Sequence, residues 1–254
     1  MTALERLLAG EVWAFLLIFV RVGSVMMLVP GLGEQTIPAR IRLTLGLLLA
    51  YVMLPLVHGT IPPNPDSPTG ATVFILGEVG VGLLIGMALR LVLTAMNVAG
   101  SVIAIQSGLA FIQTIDPTQG SQGSLVANFL SLVGLVAIFA ADLHVMPIAA
   151  IRDSYTLFPP GHWPEIQDMV QTVIDTVASS FKLGIQISAP FIVFGIVFNA
   201  ALGVLARLIP QMQVTFITLP AQILVAFALL SLTLGTAVTL YLDYFTKRLQ
   251  TFLM

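Results

Sequence analysis

The sequence predicts an all-α protein built of membrane-embedded or membrane-associated helical hairpins, and three observations carry that prediction. Of 254 residues, 57% are hydrophobic and 9% charged. A soluble domain carries about 25% charged residues, and a surface so poor in charge does not stay dissolved. The apolar residues form long runs at about Val12–Leu32, Ile41–Val57, Ala71–Phe111, Leu125–Ile151, Ile185–Leu208 and Val214–Phe245, and a spanning helix needs roughly 20 residues. Proline-rich or glycine-rich polar stretches, which break helices, separate several of these runs.

The first run follows Glu5, Arg6 and Glu11 and continues past Arg21. A cleaved leader is shorter and has a basic flank, so this run is expected to be a retained first segment. The stretch "HGTIPPNPDSPTG" (His58–Gly70) is expected to be an extended, solvated connection. The third run has 41 residues. One helix of that length would reach roughly 60 Å, twice the hydrocarbon thickness, so it must bend back or stand clear of the bilayer. Within it, "GEVGVGLLIG" holds the GxxxG pair Gly82 and Gly86, which lets another helix approach closely. The loop "IQTIDPTQGSQGS" (Ile112–Ser124) is polar, glycine-rich and nearly uncharged, and "FPPGHWPEIQ" (Phe158–Gln167) leads into a more polar helix near Asp168–Lys182. No Gly/Ser linker divides the chain, so residues 1–254 are expected to form one domain.

Six spans with both ends on one side would place Arg6, Arg152, Lys182, Lys247 and Arg248 there, against Arg40, Arg42 and Arg207 opposite. That asymmetry is weak for a lipid-spanning bundle. With the overlong third run, it points to helices buried largely against protein. Arg21, Glu78, Arg90 and Asp142 lie inside apolar runs. Each costs on the order of 2.5–3.5 kcal/mol at a bilayer centre if unpaired, so they are expected to be buried structural charges; a proton relay is the functional alternative. Glu78 and Arg90 stand roughly 18 Å apart along a helix and cannot pair with each other.

The net charge of −2 leaves no basic footprint for nucleic acid. Absence of cysteine removes disulfides and thiolate chemistry. His58, His144 and His162 show no metal spacing, and neither a nucleophile elbow nor a Walker motif is present. We therefore expect no enzyme, no cofactor and no metal.

The stretch "NAALGVLARLIPQMQVTFITLPAQ" resembles the signature of the FliR family, the R subunit of the flagellar type III export gate. "VRVGSVMMLVPGLGEQTIPARIRL" resembles that family's first hairpin, with Arg21, Pro30, Pro38, Arg40 and Arg42 in place. "GEVGVGLLIG" and "NVAGSVIAIQSGLAFIQTIDP" follow in the expected order, the latter with Gly100, Gln106, Gly108, Asp116 and Pro117; His144, Pro159–Gly161 and Pro190 also fall in place. Injectisome export-gate T proteins are homologous, but "PGLGEQTIPARIRL" resembles flagellar members more closely.

The resemblance implies a fused unit, FliP-like over about 1–180 and a FliQ-like helical hairpin over about 181–254. This unit would assemble with FliP and FliQ, next to FlhB and FlhA, in the bacterial inner membrane at the flagellar basal body. Membrane lipid and unfolded flagellar export substrates would be its other partners. Arg207, Pro210, Gln211 and Gln213 would form the tip of a hairpin at the channel entrance and contact neighbouring subunits; a plain solvated turn is the alternative. Leu109, Phe111, Ile112, Gln113, Asp116 and Pro117 would belong to a plug that seals the channel. Apolar side chains lead that loop and glycines supply its hinges; an ordinary connecting loop, which would need no such apolar lead-in, is the alternative. A six-span small-molecule carrier is the rival class; it should show an internal repeat, and none is clear.

Overall fold

A computed structural model describes residues 3–34, 37–65, 67–110, 125–161, 165–208 and 214–253. Among them there is no strand. Seven longer α-helices follow in order among the described residues: α1 Ala3–Met26, α2 Ala39–Val57, α3 Pro68–Gln106, α4 Leu125–Ala140, α5 Met146–Leu157, α6 Ile166–Leu208 and α7 Val214–Gln250. Four of these regions are long and apolar enough to cross a membrane (Ala39–Thr60, Pro68–Gln106, Ile166–Leu208 and Thr218–Gln250), or five if Leu125–Ala140 and Leu143–Leu157 count as one broken span.

Several helix ends differ from the sequence expectation for identifiable reasons. α1 stops at Met26 rather than near Leu32, because Pro30 cannot donate to a continuing helix and Gly31 turns with φ 87°. α3 starts where Ser67 caps it, its Oγ accepting from the Gly70 N–H at 3.1 Å, and Pro68 occupies the first helical position. It runs unbroken for 39 residues, about 58 Å, and so does not bend back as a hairpin. The run expected over Leu125–Ile151 is split, since Asp142 adopts the left-handed conformation (φ 55°, ψ 17°) and Pro147 opens a new helix. Conversely, the polar helix near Asp168–Lys182 and the following apolar run are one 43-residue helix, α6, with Pro190 inside it.

The chain forms two compact units. One comprises Met1–Val92, Phe139–Val177 and Phe245–Met254; the other comprises Leu93–Ile138 and Ala178–Tyr244. In the first, Leu17, Ile18 and Val22 of α1 are fully buried, as is Ile85 of α3. The GxxxG glycines of α3 explain how these helices come so close. A Cβ on Gly82 would stand 2.6 Å from the Arg21 carbonyl oxygen, and one on Gly86 would stand 2.8 Å from Leu28 Cβ, so neither position admits a side chain. In the second unit, Met96 of α3, Leu130 of α4, Phe191 of α6 and Tyr241 of α7 make the core. There Gly100 faces the Ala127 backbone and Gly184 faces Val98. Tyr244 Oη lies 2.8 Å from Ser179 Oγ and 3.1 Å from Ser180 Oγ, tying α7 to α6.

Candidate functional site

The first unit contains a buried cation. Arg21, on the buried face of α1, is 1% exposed. Its Nε donates to Glu78 Oε2 at 2.6 Å and one terminal nitrogen to Glu78 Oε1 at 2.9 Å, a two-pronged pair with α3. The same nitrogen donates to the Phe158 carbonyl at 2.9 Å, and the other donates to the Ser154 carbonyl at 3.0 Å and Ser154 Oγ at 3.1 Å. The guanidinium also lies 4.0 Å above the Tyr155 ring. One side chain thus ties α1 to α3 and to the C-terminal end of α5, where the Ser154 carbonyl also accepts from the Phe158 N–H at 2.8 Å. Beside it lies a cavity of about 360 Å³, bordered by Phe74, Gly77, Val81 and Gly161.

Arg90 and Asp142 do not share this environment: both are exposed on the chain. Arg90 follows Glu78 by twelve residues, which turns it about 120° round α3, away from the face that carries Glu78. Asp142 sits outside any helix, at the break between α4 and α5, where its left-handed backbone ends the helix. Among the described residues, no group of three or more His, Asp or Glu could hold a metal ion.

The second unit contains the root of the polar loop. α3 ends as Gly108 takes φ 76°, its N–H donating to the Ile105 carbonyl at 3.2 Å. Gln222, 8% exposed on α7, donates from Nε2 to the Gln106 carbonyl at 2.9 Å. A Cβ on Gly108 would meet Leu219 Cδ1 at 2.9 Å, and a Cβ on Gly195 of α6 would collide with the Gln106 amide. The end of α3 is therefore held between α6 and α7, immediately ahead of the loop. Leu109 is half-buried there. Phe111, Ile112, Gln113, Asp116 and Pro117 lie outside the described residues, as do Pro210, Gln211 and Gln213. Arg207 is described and exposed, in the last turn of α6. Gln222 and Gly195 were not singled out from sequence; the signal available for Gln222 was a lone amide inside a long apolar helix.

The profile of the bacterial export proteins, family 1, matches residues 12–248. The chain belongs to that family. Its relatives include the flagellar biosynthetic protein FliR of Caulobacter vibrioides, 40% identical over 244 residues, 96% of this chain and 97% of that one. FliR of Aquifex aeolicus is 30% identical over 219 residues, 86% of this chain and 84% of that one. FliR of Bacillus subtilis is 25% identical over 241 residues, 94% of this chain and 92% of that one. The family match takes in Arg21, Glu78 and the Gln106–Gln222 contact alike, so both described sites belong to the export-protein body.

Proposed function

We propose that this chain is a non-enzymatic subunit of the flagellar type III export gate, working in the bacterial inner membrane at the flagellar basal body. The observation that carries the reading is the 40% identity over 96% of the chain to a flagellar biosynthetic protein FliR. On this reading it assembles with FliP and FliQ, close to FlhB and FlhA, and lets unfolded flagellar proteins pass. Residues of about 1–180 act as the FliP-like part and about 181–254 as the FliQ-like hairpin. The buried Arg21–Glu78 pair serves assembly: both carboxylate oxygens accept from the guanidinium, which suits a fixed structural tie better than a proton relay. Leu109, Phe111, Ile112, Gln113, Asp116 and Pro117 act as the seal, which the anchored end of α3 at Gly108 supports. Arg207, Pro210, Gln211 and Gln213 form the hairpin tip at the entrance.

The test is to delete the gene in its own bacterium and supply it again with an affinity tag. Loss and recovery of motility, flagellin outside the cell, and two smaller hydrophobic proteins purifying with the tagged chain are expected. Normal flagella without the gene, or a chain that purifies alone, would overturn the reading.

A further inference from the structure

The last turn of α3 completes its hydrogen bonds with a donor from another helix. The final carbonyls of a helix have no partners within it. Here the Ile103 carbonyl accepts from the Ser107 N–H at 2.8 Å, the Ile105 carbonyl from the Gly108 N–H at 3.2 Å, and the Ala104 carbonyl from the Ser107 hydroxyl at 3.1 Å. The Gln106 carbonyl takes its donor from Gln222 of α7, 116 residues away. The rest of that amide packs on the same turn: a Cβ on Gly108 would stand 3.3 Å from Gln222 Oε1. On the α6 side, the Gln106 side chain occupies the space that a Cβ on Gly195 would fill. Between Leu219 and Leu230, Gln222 is the one polar residue. Burying an amide costs more than burying leucine, and plain attachment of α3 to α7 requires no polar side chain. A hydrogen bond differs from an apolar contact in being directional and weakening steeply once its geometry is lost. A contact built this way is undone by a small movement.

The two helices that hold the turn each carry a proline next to their point of contact. Pro190 lies five residues before Gly195 in α6, and Pro220 lies two residues before Gln222 in α7. A proline inside a helix removes one hydrogen bond of the ladder and lets the helix bend there. Gly108, at the joint itself, holds φ 76°, a conformation that glycine enters without strain. We infer that Gln222 is a releasable latch. Its bond to the Gln106 carbonyl fixes the C-terminal turn of α3, and a bend of α7 at Pro220 undoes the bond and frees the turn. The consequence for export rests on the seal proposed above. A latched turn keeps the root of the seal in place between substrates, and a released one lets that root yield to a passing chain. A single hydrogen bond suits this duty, because an incoming chain shifts the equilibrium only by its own differential affinity for the two states.

The test uses the full chain assembled with its co-expressed partners. Gln222→Met keeps the length of the side chain and removes the donor. Amide hydrogen exchange over residues 103–108 should quicken about tenfold in this variant, with residues 81–92 of α3 unchanged, and conductance in planar bilayers should rise. The rescue is covalent. A Cβ on Gly195 would stand 3.3 Å from Gln106 Cβ, near the roughly 3.8 Å of a disulfide, and the chain has no cysteine of its own. Oxidised Gln106→Cys/Gly195→Cys in the Gln222→Met background should close the leak, and reductant should reopen it. Unchanged exchange over 103–108 would overturn the latch. Faster exchange with wild-type conductance would also overturn it, provided that deletion of 112–120 leaks; the seal would then stand without the latch. A deletion complex as tight as wild type would remove the seal instead, and the exchange with its reversal by the disulfide would decide the latch alone. If Gln222→Met is not recovered, the same cysteine pair beside native Gln222 decides: exchange over 103–108 should be slower oxidised than reduced, and equal rates would overturn the latch.

Discussion

Arg21 directs five hydrogen bonds, to Glu78, Ser154 and Phe158, from a position only 1% exposed. Replacing one partner of such a pair leaves the other charge buried and uncompensated, at a cost of about 3–5 kcal/mol. Glu78→Gln should therefore cut recovery of folded chain from membranes severely, and Arg21→Lys should not substitute, because an ammonium cannot reach three partners in one plane. Recovery of either variant at wild-type levels in size-exclusion profiles would count against the clamp. Gly108 supplies a second test. Its φ of 76° costs a residue with a Cβ about 1–2 kcal/mol, and that Cβ would press on Leu219. Gly108→Ala should lower the thermal midpoint of the purified chain. Gly203→Ala, at a helical glycine with nothing within 4 Å, should leave it unchanged or raise it slightly, through a helix propensity gain of about 1 kcal/mol.

At the level of elements, the GxxxG pair told in advance that α3 packs closely on something, and the periodicity could not say on what. The answer is α1 and the turn that follows it, through Arg21 and Ser24 at Gly82 and through Val25 and Leu28 at Gly86. Gly82→Leu should separate the two helices and, with them, Arg21 from Glu78, so its effect should be no smaller than that of Glu78→Gln; a well-folded Gly82→Leu chain would contradict the packing. The loop after α3 leads to a different prediction, resting on the proposed seal. A pore that admits unfolded protein leaks unless an apolar filler dewets it. Deleting Ile112–Gly120 should leave the assembled complex intact while raising its conductance in planar bilayers. A deletion complex as tight as wild type would remove this loop from the role.

Over the whole molecule, the two compact units are interleaved along the chain. The first takes residues from both ends and the middle, and the second needs Leu93–Ile138 as well as Ala178–Tyr244. α3, α6 and α7 each contribute to both units. A chain cut near residue 180 therefore leaves each unit without part of its core: a 1–180 fragment lacks Phe245 and Leu249 of the first unit and Phe191 and Tyr241 of the second, and a 181–254 fragment lacks Met96 and Leu130. Expressed singly, both fragments should be degraded while the intact chain accumulates, as immunoblots of membrane fractions would show. A stable 181–254 fragment would mean that the hairpin folds alone.

Composition and hydropathy determined by themselves that the chain is helical, that its helices are long enough for a membrane, and that proline and glycine mark many of their ends. These are local properties, set by side-chain transfer energies and backbone sterics within a few residues. The family signature was legible for the same reason, since it is written in residue order. Only the tertiary structure decided which charges are buried. Arg21 and Glu78 are 57 residues apart and meet, whereas Arg90, on the same helix as Glu78, is exposed. The contact of Gln106 with Gln222 across 116 residues was equally invisible. Pairing at such separation depends on which helix faces pack together, and a 3.6-residue period fixes the relative angle of two side chains on one helix without naming the helix that each will face.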